Sequence, residues 1–179
     1  MEPKLVRAID DLEIRQLLAR YCRGVDRLHE EMVDSCFWPS EAGSCSVFCG
    51  PFSGSPMDWV DFVFARMRND LLTTHHLCQS LISIEGDEAE AESYFLARHV
   101  YDENDSVIVM AVAGRYLDKI DRRAGNWRIA RRRVMIDLRQ FSPAGTKEAN
   151  LSGAAIGRQP DDPSFELSLV GRGWPGRQP

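Results

Sequence analysis

The chain has 179 residues, of which 44% are hydrophobic and 27% are charged, and its formal net charge at pH 7 is −5. This composition predicts one folded domain with a sizeable core, and no apolar run is long enough to span a bilayer. The negative charge argues against nucleic acid as the main partner, because the basic cluster ARRRV at 130–134 is short and suits a strand with alternating sides.

Two helices are predicted in the first half of the chain. Residues 9 to about 31 carry an apolar stripe with helical spacing, after an acidic first turn. Residues 35–56 are rich in Gly, Ser, Pro and Cys, which predicts a short strand inside a long loop. Residues 57 to about 72 return to helical spacing, with Ser55 and Pro56 at the capping positions.

From His75 onward the apolar period changes to two, which predicts four successive strands joined by short turns. Helices followed by a meander are typical of an α+β domain, in which a curved antiparallel sheet wraps around helices on one face. We therefore expect one folded domain over residues 1–141 and an irregular C-terminal tail over residues 142–179. Within that tail, Phe165 is among the side chains that are candidates for docking on a neighbour or over a cavity mouth.

The sequence contains no recognisable cofactor or metal motif. The five cysteines are odd in number and form no CxxC pair, and the histidines lack HxH or HxxxH spacing. No phosphate loop or dinucleotide fingerprint is present. Since the N-terminus also lacks an apolar signal segment, we expect a cytoplasmic protein with reduced thiols, no cofactor and no metal.

Strand parity predicts which polar side chains share a face. His75 should share a face with Gln79, and His99 should share one with Phe95 and a row of small residues. Small residues on a bent sheet indicate either close helix packing or space for a ligand. Each histidine has a structural alternative, a hydrogen bond to a carbonyl or a tyrosine, and Asp26 has one too, a surface ion pair with Arg23 on the same helical face.

Four segments, taken in order, resemble the SnoaL-like branch of the nuclear-transport-factor-two-like cone folds, a family that includes scytalone dehydratase, the bile-acid dehydratase and hexachlorocyclohexane dehydrochlorinase. They are YCRGVD, FSGSPMDWV, TTHHLCQSLISIEGDEAEAESY and YLDKIDRRAGNWRIARRRVMID. The resemblance implies a cone-shaped α+β barrel. It also implies a catalytic Asp–His pair at Asp26 and His75, with Tyr21 and His99 matching further catalytic residues of relatives.

The function implied by this resemblance is a cofactor-independent lyase or an isomerase. It would abstract a proton from a small, largely apolar or aromatic molecule held in the cone. We expect substrate contacts from four further residues: Trp59, Gln79, Phe95 and Arg115. The alternative is a non-catalytic module of the same fold, which only binds a small ligand or forms oligomers.

An apolar outer sheet face predicts a homo-oligomer, a trimer or a dimer by resemblance to relatives. The residues expected on that face are Tyr94, Leu96, Val100, Ile108, Met110, Val112 and Tyr116.

Overall fold

The computed structural model describes residues 2–39, 46–104, 106–144 and 162–167. Three helices, six strands and a short 3-10 helix occupy these ranges. In chain order they are α1 (Pro3–Asp26), α2 (Glu30–Asp34), β1 (Ser46–Cys49), β2 (Phe52–Gly54), α3 (Pro56–Met67), β3 (Leu72–Glu85), β4 (Glu88–Glu103), β5 (Ser106–Arg123), β6 (Asn126–Pro143) and the 3-10 helix Pro163–Glu166.

The first helix differs from the prediction at both ends. It begins at Pro3 instead of residue 9, and it ends at Asp26 because Leu28 adopts a left-handed backbone with a φ of 50°. The remainder of the predicted helix becomes α2, which folds back onto α1. Gly24 permits this close approach, since a Cβ at that position would lie 2.7 Å from Cγ2 of Val33.

The caps predicted for the second helix are confirmed. Ser55 accepts a hydrogen bond from the backbone N–H of Asp58, and the Asp58 carboxylate accepts one from the backbone of Ser55, so α3 begins with a complete capping box. The helix ends at Met67, earlier than predicted. The residues that follow leave the helix to join the sheet, where Leu71 donates a backbone hydrogen bond to Val100.

The predicted α+β class and the antiparallel meander of β3 to β6 are confirmed. The complete sheet is curved and unclosed, with the strand order β2-β1-β6-β5-β4-β3. The segment predicted as one short strand in a loop forms the hairpin of β1 and β2, and β1 pairs in parallel with β6, which makes the sheet mixed.

The inner face of the sheet and the helices enclose the core. Ile14 and Leu17 of α1 are buried together with Phe64 of α3. Ala89 and Ala91 of β4 belong to the same cluster, so part of the small-residue row serves close packing. Among the described ranges, no helix is both long and apolar enough to cross a membrane.

The outer face of the sheet is not the one predicted for β5. Glu103 pairs with Ser106 across the β4–β5 turn, so even-numbered residues of β4 lie opposite odd-numbered residues of β5. Leu96 therefore faces out beside Ala113. The expectation was wrong for three residues that line the interior cavity instead: Met110, Val112 and Tyr116. It was also wrong for Val100, whose side chain was expected on the outer face but is buried.

The described part of the tail docks on the C-terminal end of α1. Arg23 donates to the Ser164 hydroxyl at 2.8 Å, and its guanidinium lies 5.1 Å from the centroid of the Phe165 ring. Arg27 forms an ion pair with Asp162 at 3.0 Å. The predicted boundary between residues 1–141 and 142–179 stays a prediction, because most of the second range lies outside the described residues.

Candidate active site

Asp26 is the last residue of α1. Val25, just before it, is buried in the core, and the left-handed turn at Leu28 then redirects the chain. The Asp26 side chain consequently lies against β3, with 13% of its surface exposed. Thr73 strengthens this junction by donating to the backbone carbonyl of Asp26 at 3.4 Å.

Asp26 binds His75 through both of its carboxylate oxygens. Oδ1 lies 2.6 Å from Nδ1 of the imidazole, and Oδ2 accepts a hydrogen bond of 2.8 Å from the backbone N–H of the same residue. The second bond is available because β3 is an edge strand, so one side of its backbone is not paired with β4. The expected hydrogen bond between Asp26 and His75 is thus present.

This contact determines which nitrogen of the imidazole carries the ring proton. An ionised carboxylate only accepts hydrogen bonds, so Nδ1 holds the ring proton and Nε2 carries the lone pair. Within the described residues, Nε2 of His75 has no hydrogen-bond partner, and the ring lines the interior cavity. The surface ion pair considered for Asp26 is not formed, because Arg23 binds Ser164 instead. His76, next to His75, is exposed on the opposite face.

A second acid–histidine pair faces the same cavity. Oδ2 of Asp70 lies 2.9 Å from Nδ1 of His99, and the two side chains are 12% and 11% exposed. Thr73 pairs with His99 across β3 and β4, which places His99 diagonally beside His75, with ring centroids 5.7 Å apart. Sequence reasoning missed Asp70, because it lies in the α3–β3 connection and only the strand register brings it to His99.

The cavity has a volume of about 570 Å³, which is in the usual range for small-molecule sites. Its inner part is lined by buried, mainly apolar side chains: Tyr21, Val25, Trp59, Val63, Met67, Phe95, Ala97, His99, Met110, Val112, Tyr116 and Val134. We call the exposed part of its lining the mouth, which consists of Gly50, Pro51, Phe62, Arg66, Arg139 and Phe141.

Tyr21 supplies a polar group to the inner cavity. Its hydroxyl accepts a hydrogen bond of 3.0 Å from the indole N–H of Trp59, which leaves the phenolic hydrogen available for donation. Burial raises the pKa of Tyr21 to about 12, against the opposing effects of Arg132 and Trp59. The phenol is therefore protonated at neutral pH and is a donor.

Phe95 forms a wall of the cavity. Its ring stacks on Tyr116 with centroids 4.4 Å apart. The stack depends on Gly114, where an added Cβ would lie 2.8 Å from the Phe95 ring and 2.2 Å from the carbonyl oxygen of Met135. Of the four expected substrate contacts, Phe95 and Trp59 line the cavity.

The other two expected substrate contacts do not line this cavity. A bulge in β3 between Leu77 and Ser80 reverses the side-chain alternation and leaves Gln79 exposed, so the parity argument that placed it beside His75 was wrong. Arg115 is held by Glu92 and Asp137 at 3.1 Å each, on the face opposite Tyr116. The bulge has no sequence signal that distinguishes it from regular alternation.

A buried ion pair lies behind the tyrosines. Arg132 donates two hydrogen bonds of 2.7 Å to Asp118, and neither side chain is exposed to solvent. Its guanidinium lies 4.0 Å and 4.2 Å from the ring centroids of Tyr21 and Tyr116. Burial opposes the charge, but the Asp118 carboxylate outweighs it and holds the pKa of Arg132 above its usual value. The predicted alternation of ARRRV is correct, with Arg132 as the inward member.

The buried cysteines are unsuited to act as nucleophiles. Burial raises the pKa of Cys22 to about 12 and that of Cys36 to about 11, so both stay in the thiol form at neutral pH. Across the described ranges, no group of three or more His, Cys, Asp or Glu side chains is arranged to hold a metal ion.

Comparison with known proteins identifies the same architecture. Residues 6–133 match a family model described as a SnoaL-like domain. No curated protein sequence matches the chain.

Several solved structures share the fold. Hexachlorocyclohexane dehydrochlorinase LinA-type3 from Novosphingobium barchaimii LL02 is 18% identical, with a TM-score of 0.67 over 83% of this chain and 98% of that one. A proposed scytalone dehydratase from Novosphingobium aromaticivorans DSM 12444 is 21% identical, with a TM-score of 0.64 over 83% and 97%. Rv3472 from Mycobacterium tuberculosis, of unknown function, is 23% identical, with a TM-score of 0.64 over 76% and 77%. At these identities the likeness shows the fold alone.

Proposed function

Since the chain belongs to the family of SnoaL-like domains, we propose that it is a cofactor-independent lyase or isomerase that acts on a small, largely apolar or aromatic molecule. The lyase chemistry would be dehydration or dehydrohalogenation, the activities named for two of the structures that share its fold. One observation carries the proposal: Asp26 binds His75 through two hydrogen bonds, and this imidazole, whose Nε2 has no partner among the described residues, lines an apolar cavity.

In the proposed reaction, Nε2 of His75 takes a proton from a carbon next to the leaving group. The electrons of the broken C–H bond form the new double bond, and the leaving group departs as halide or, once protonated, as water. In an isomerisation the same proton returns to a different carbon. Asp26 stabilises the imidazolium that forms, and general-base catalysis of this kind contributes about 10²–10⁴-fold in rate.

Two further groups support this chemistry. The phenol of Tyr21 is a protonated donor in the inner cavity, suited to an oxygen that gains negative charge. His99, held by Asp70, lies beside His75 with its own Nε2 free of partners in the described part of the chain. As an imidazolium it is placed to protonate a departing hydroxyl, whereas halide needs no proton.

The alternative, a module that only binds a ligand, predicts a different experimental outcome. A library of small aromatic and steroid compounds carrying a hydroxyl or halide beside an acidic C–H is incubated with the protein. Melting temperature reports binding, and product analysis reports turnover. A binding module is stabilised without forming product.

The variant His75→Ala tests whether turnover depends on this site. We expect ligands to stabilise this variant still, while product formation falls by about 10²–10⁴-fold. The matched control is His76→Ala, which removes the neighbouring exposed imidazole from the outer face and should leave turnover unchanged. Near-normal turnover in His75→Ala would contradict the mechanism and favour another base.

A further inference from the structure

The mouth of the cavity carries positive charge in a protein whose net charge is −5. Arg66 in the last turn of α3 and Arg139 near the end of β6 both line the cavity and are both exposed. The acidic residue among the lining side chains is Asp70, which is hydrogen-bonded to His99. Among the residues that the structure describes, the exposed lining therefore contains two guanidinium groups and no carboxylate.

Neither guanidinium is neutralised by a carboxylate of the described ranges. In the part of the chain that the structure describes, Arg66 and Arg139 have no hydrogen bond or ion pair, unlike Arg115 and Arg122, which each bind two carboxylates. An unpaired guanidinium presents a planar set of donors that matches a carboxylate.

Arg66 and Arg139 line the cavity together with Cys49. Burial raises the pKa of the Cys49 thiol, and Arg139 and Arg66 are the two charges that counter this effect. Cys49 itself lines the cavity at the end of β1. Side chains of α3 and β6, which are far apart in sequence, thus line the same cavity as the end of β1.

We propose that Arg66 and Arg139 form an anion-binding subsite, and that the ligand of this cavity is an amphiphilic carboxylate. Its apolar body lies against Trp59 and Phe95 in the inner cavity, and its carboxylate is held at the mouth. This orientation directs the buried end of the molecule towards His75. The inference deepens the proposed function and rests on it in taking this cavity as the substrate site.

The test compares two ligands that differ in charge but hardly in shape, 2-naphthoate and its neutral amide 2-naphthamide. Isothermal titration of the wild-type chain should give at least about tenfold tighter binding of the carboxylate, the size expected for charge-assisted hydrogen bonds. Added salt should weaken naphthoate binding and leave naphthamide binding nearly unchanged.

Variants that remove positive charge test whether Arg66 and Arg139 cause the preference for naphthoate over naphthamide. The double variant Arg66→Gln/Arg139→Gln should bind the two ligands equally, and Arg66→Lys/Arg139→Lys should keep part of the preference. Arg98→Gln is the matched control, because it removes one exposed guanidinium from the outer face of β4 and should change neither affinity. Arg66 and Arg139 are both exposed. Unchanged melting temperatures would show that the variants remain folded.

The outcome is separable from that of the catalytic proposal. His75→Ala should retain the preference for naphthoate even though it loses turnover. If the wild-type chain does not bind naphthoate more tightly than naphthamide, or if the double glutamine variant keeps the preference, the anion subsite is overturned whatever the turnover results are.

Discussion

The pairs Asp118–Arg132 and Asp26–His75 each join a buried carboxylate to a basic side chain, but the two basic groups differ in their access to the cavity. Asp118 and Arg132 are fully enclosed, with both carboxylate oxygens bound to the guanidinium at 2.7 Å. Asp26 and His75 are almost as buried, at 13% and 7% exposure. Yet His75 lines the cavity, whereas the guanidinium lies behind two tyrosine rings.

The difference shows that burial and pairing do not by themselves indicate a catalytic site. A guanidinium does not lose its proton in proteins, so the Arg132 pair has no accessible change of state. An imidazole can take up and release a proton, and the carboxylate of Asp26 occupies only one of the two ring nitrogens of His75. We therefore propose that the first pair contributes to stability and the second to the chemistry.

Exchanging Asp26 for its amide should separate the two roles most strongly. In Asp26→Asn, the amide N–H₂ favours the tautomer with the lone pair on Nδ1, so Nε2 is no longer a base. We expect turnover to fall by about 10²–10⁴-fold while the fold is retained. Kinetics on a substrate from the library and a thermal melt measure both effects. A lowered melting temperature with unchanged turnover would instead give this pair a structural role.

Removing the base of the enclosed pair should act on stability. Arg132→Met leaves Asp118 as an uncompensated buried charge, which costs about 3–5 kcal/mol in free energy of unfolding. The double variant Arg132→Met/Asp118→Leu should regain most of that loss, because no isolated charge remains. Urea denaturation of the three proteins measures the change. A double variant no more stable than the single one would mean that the pair has a role beyond mutual neutralisation.

The pair of Asp70 and His99 should show a smaller effect. Asp70→Asn replaces a charged acceptor with a neutral one, which weakens support for the His99 imidazolium by about 1 kcal/mol, or roughly fivefold in rate. The loss should appear for substrates that expel hydroxyl and be absent for those that expel halide. Equal losses of rate for both leaving groups would mean that Asp70 only shapes the cavity.

The sequence predicted the Asp26–His75 pair better than its surroundings, because the pair depends on local patterns and the surroundings depend on contacts between strands. Asp26 and His75 follow from a helical stripe and from a match to family motifs. The positions of Gln79 and Asp70 depend on a bulge in β3 and on the β3–β4 register, which are set by packing and turn geometry across strands.

The same limit explains the error on the outer face of β5. Parity along one strand is visible in the sequence, but the relation between neighbouring strands depends on which residues the turn pairs. Here Glu103 opposes Ser106, so Leu96 of β4 lies next to Ala113 of β5. The fold class was insensitive to this choice, since either register gives the same meander.

The corrected outer face provides the last prediction, which concerns assembly and should leave the proposed catalytic pair unchanged. Leu96, Ala113 and Leu138 form a row across three strands, and the two leucines are 53% and 58% exposed. An apolar row on an uncovered sheet favours association, so we expect a homo-oligomer, a trimer or a dimer.

In Leu96→Glu/Leu138→Glu, charge repulsion should produce a monomer in light scattering, with turnover unchanged. The control Leu12→Glu alters a leucine of α1 that is 52% exposed and should keep the assembly. A wild-type monomer at micromolar concentration would refute the assembly without affecting the assignment of Asp26 and His75, since both residues lie on the other side of the sheet.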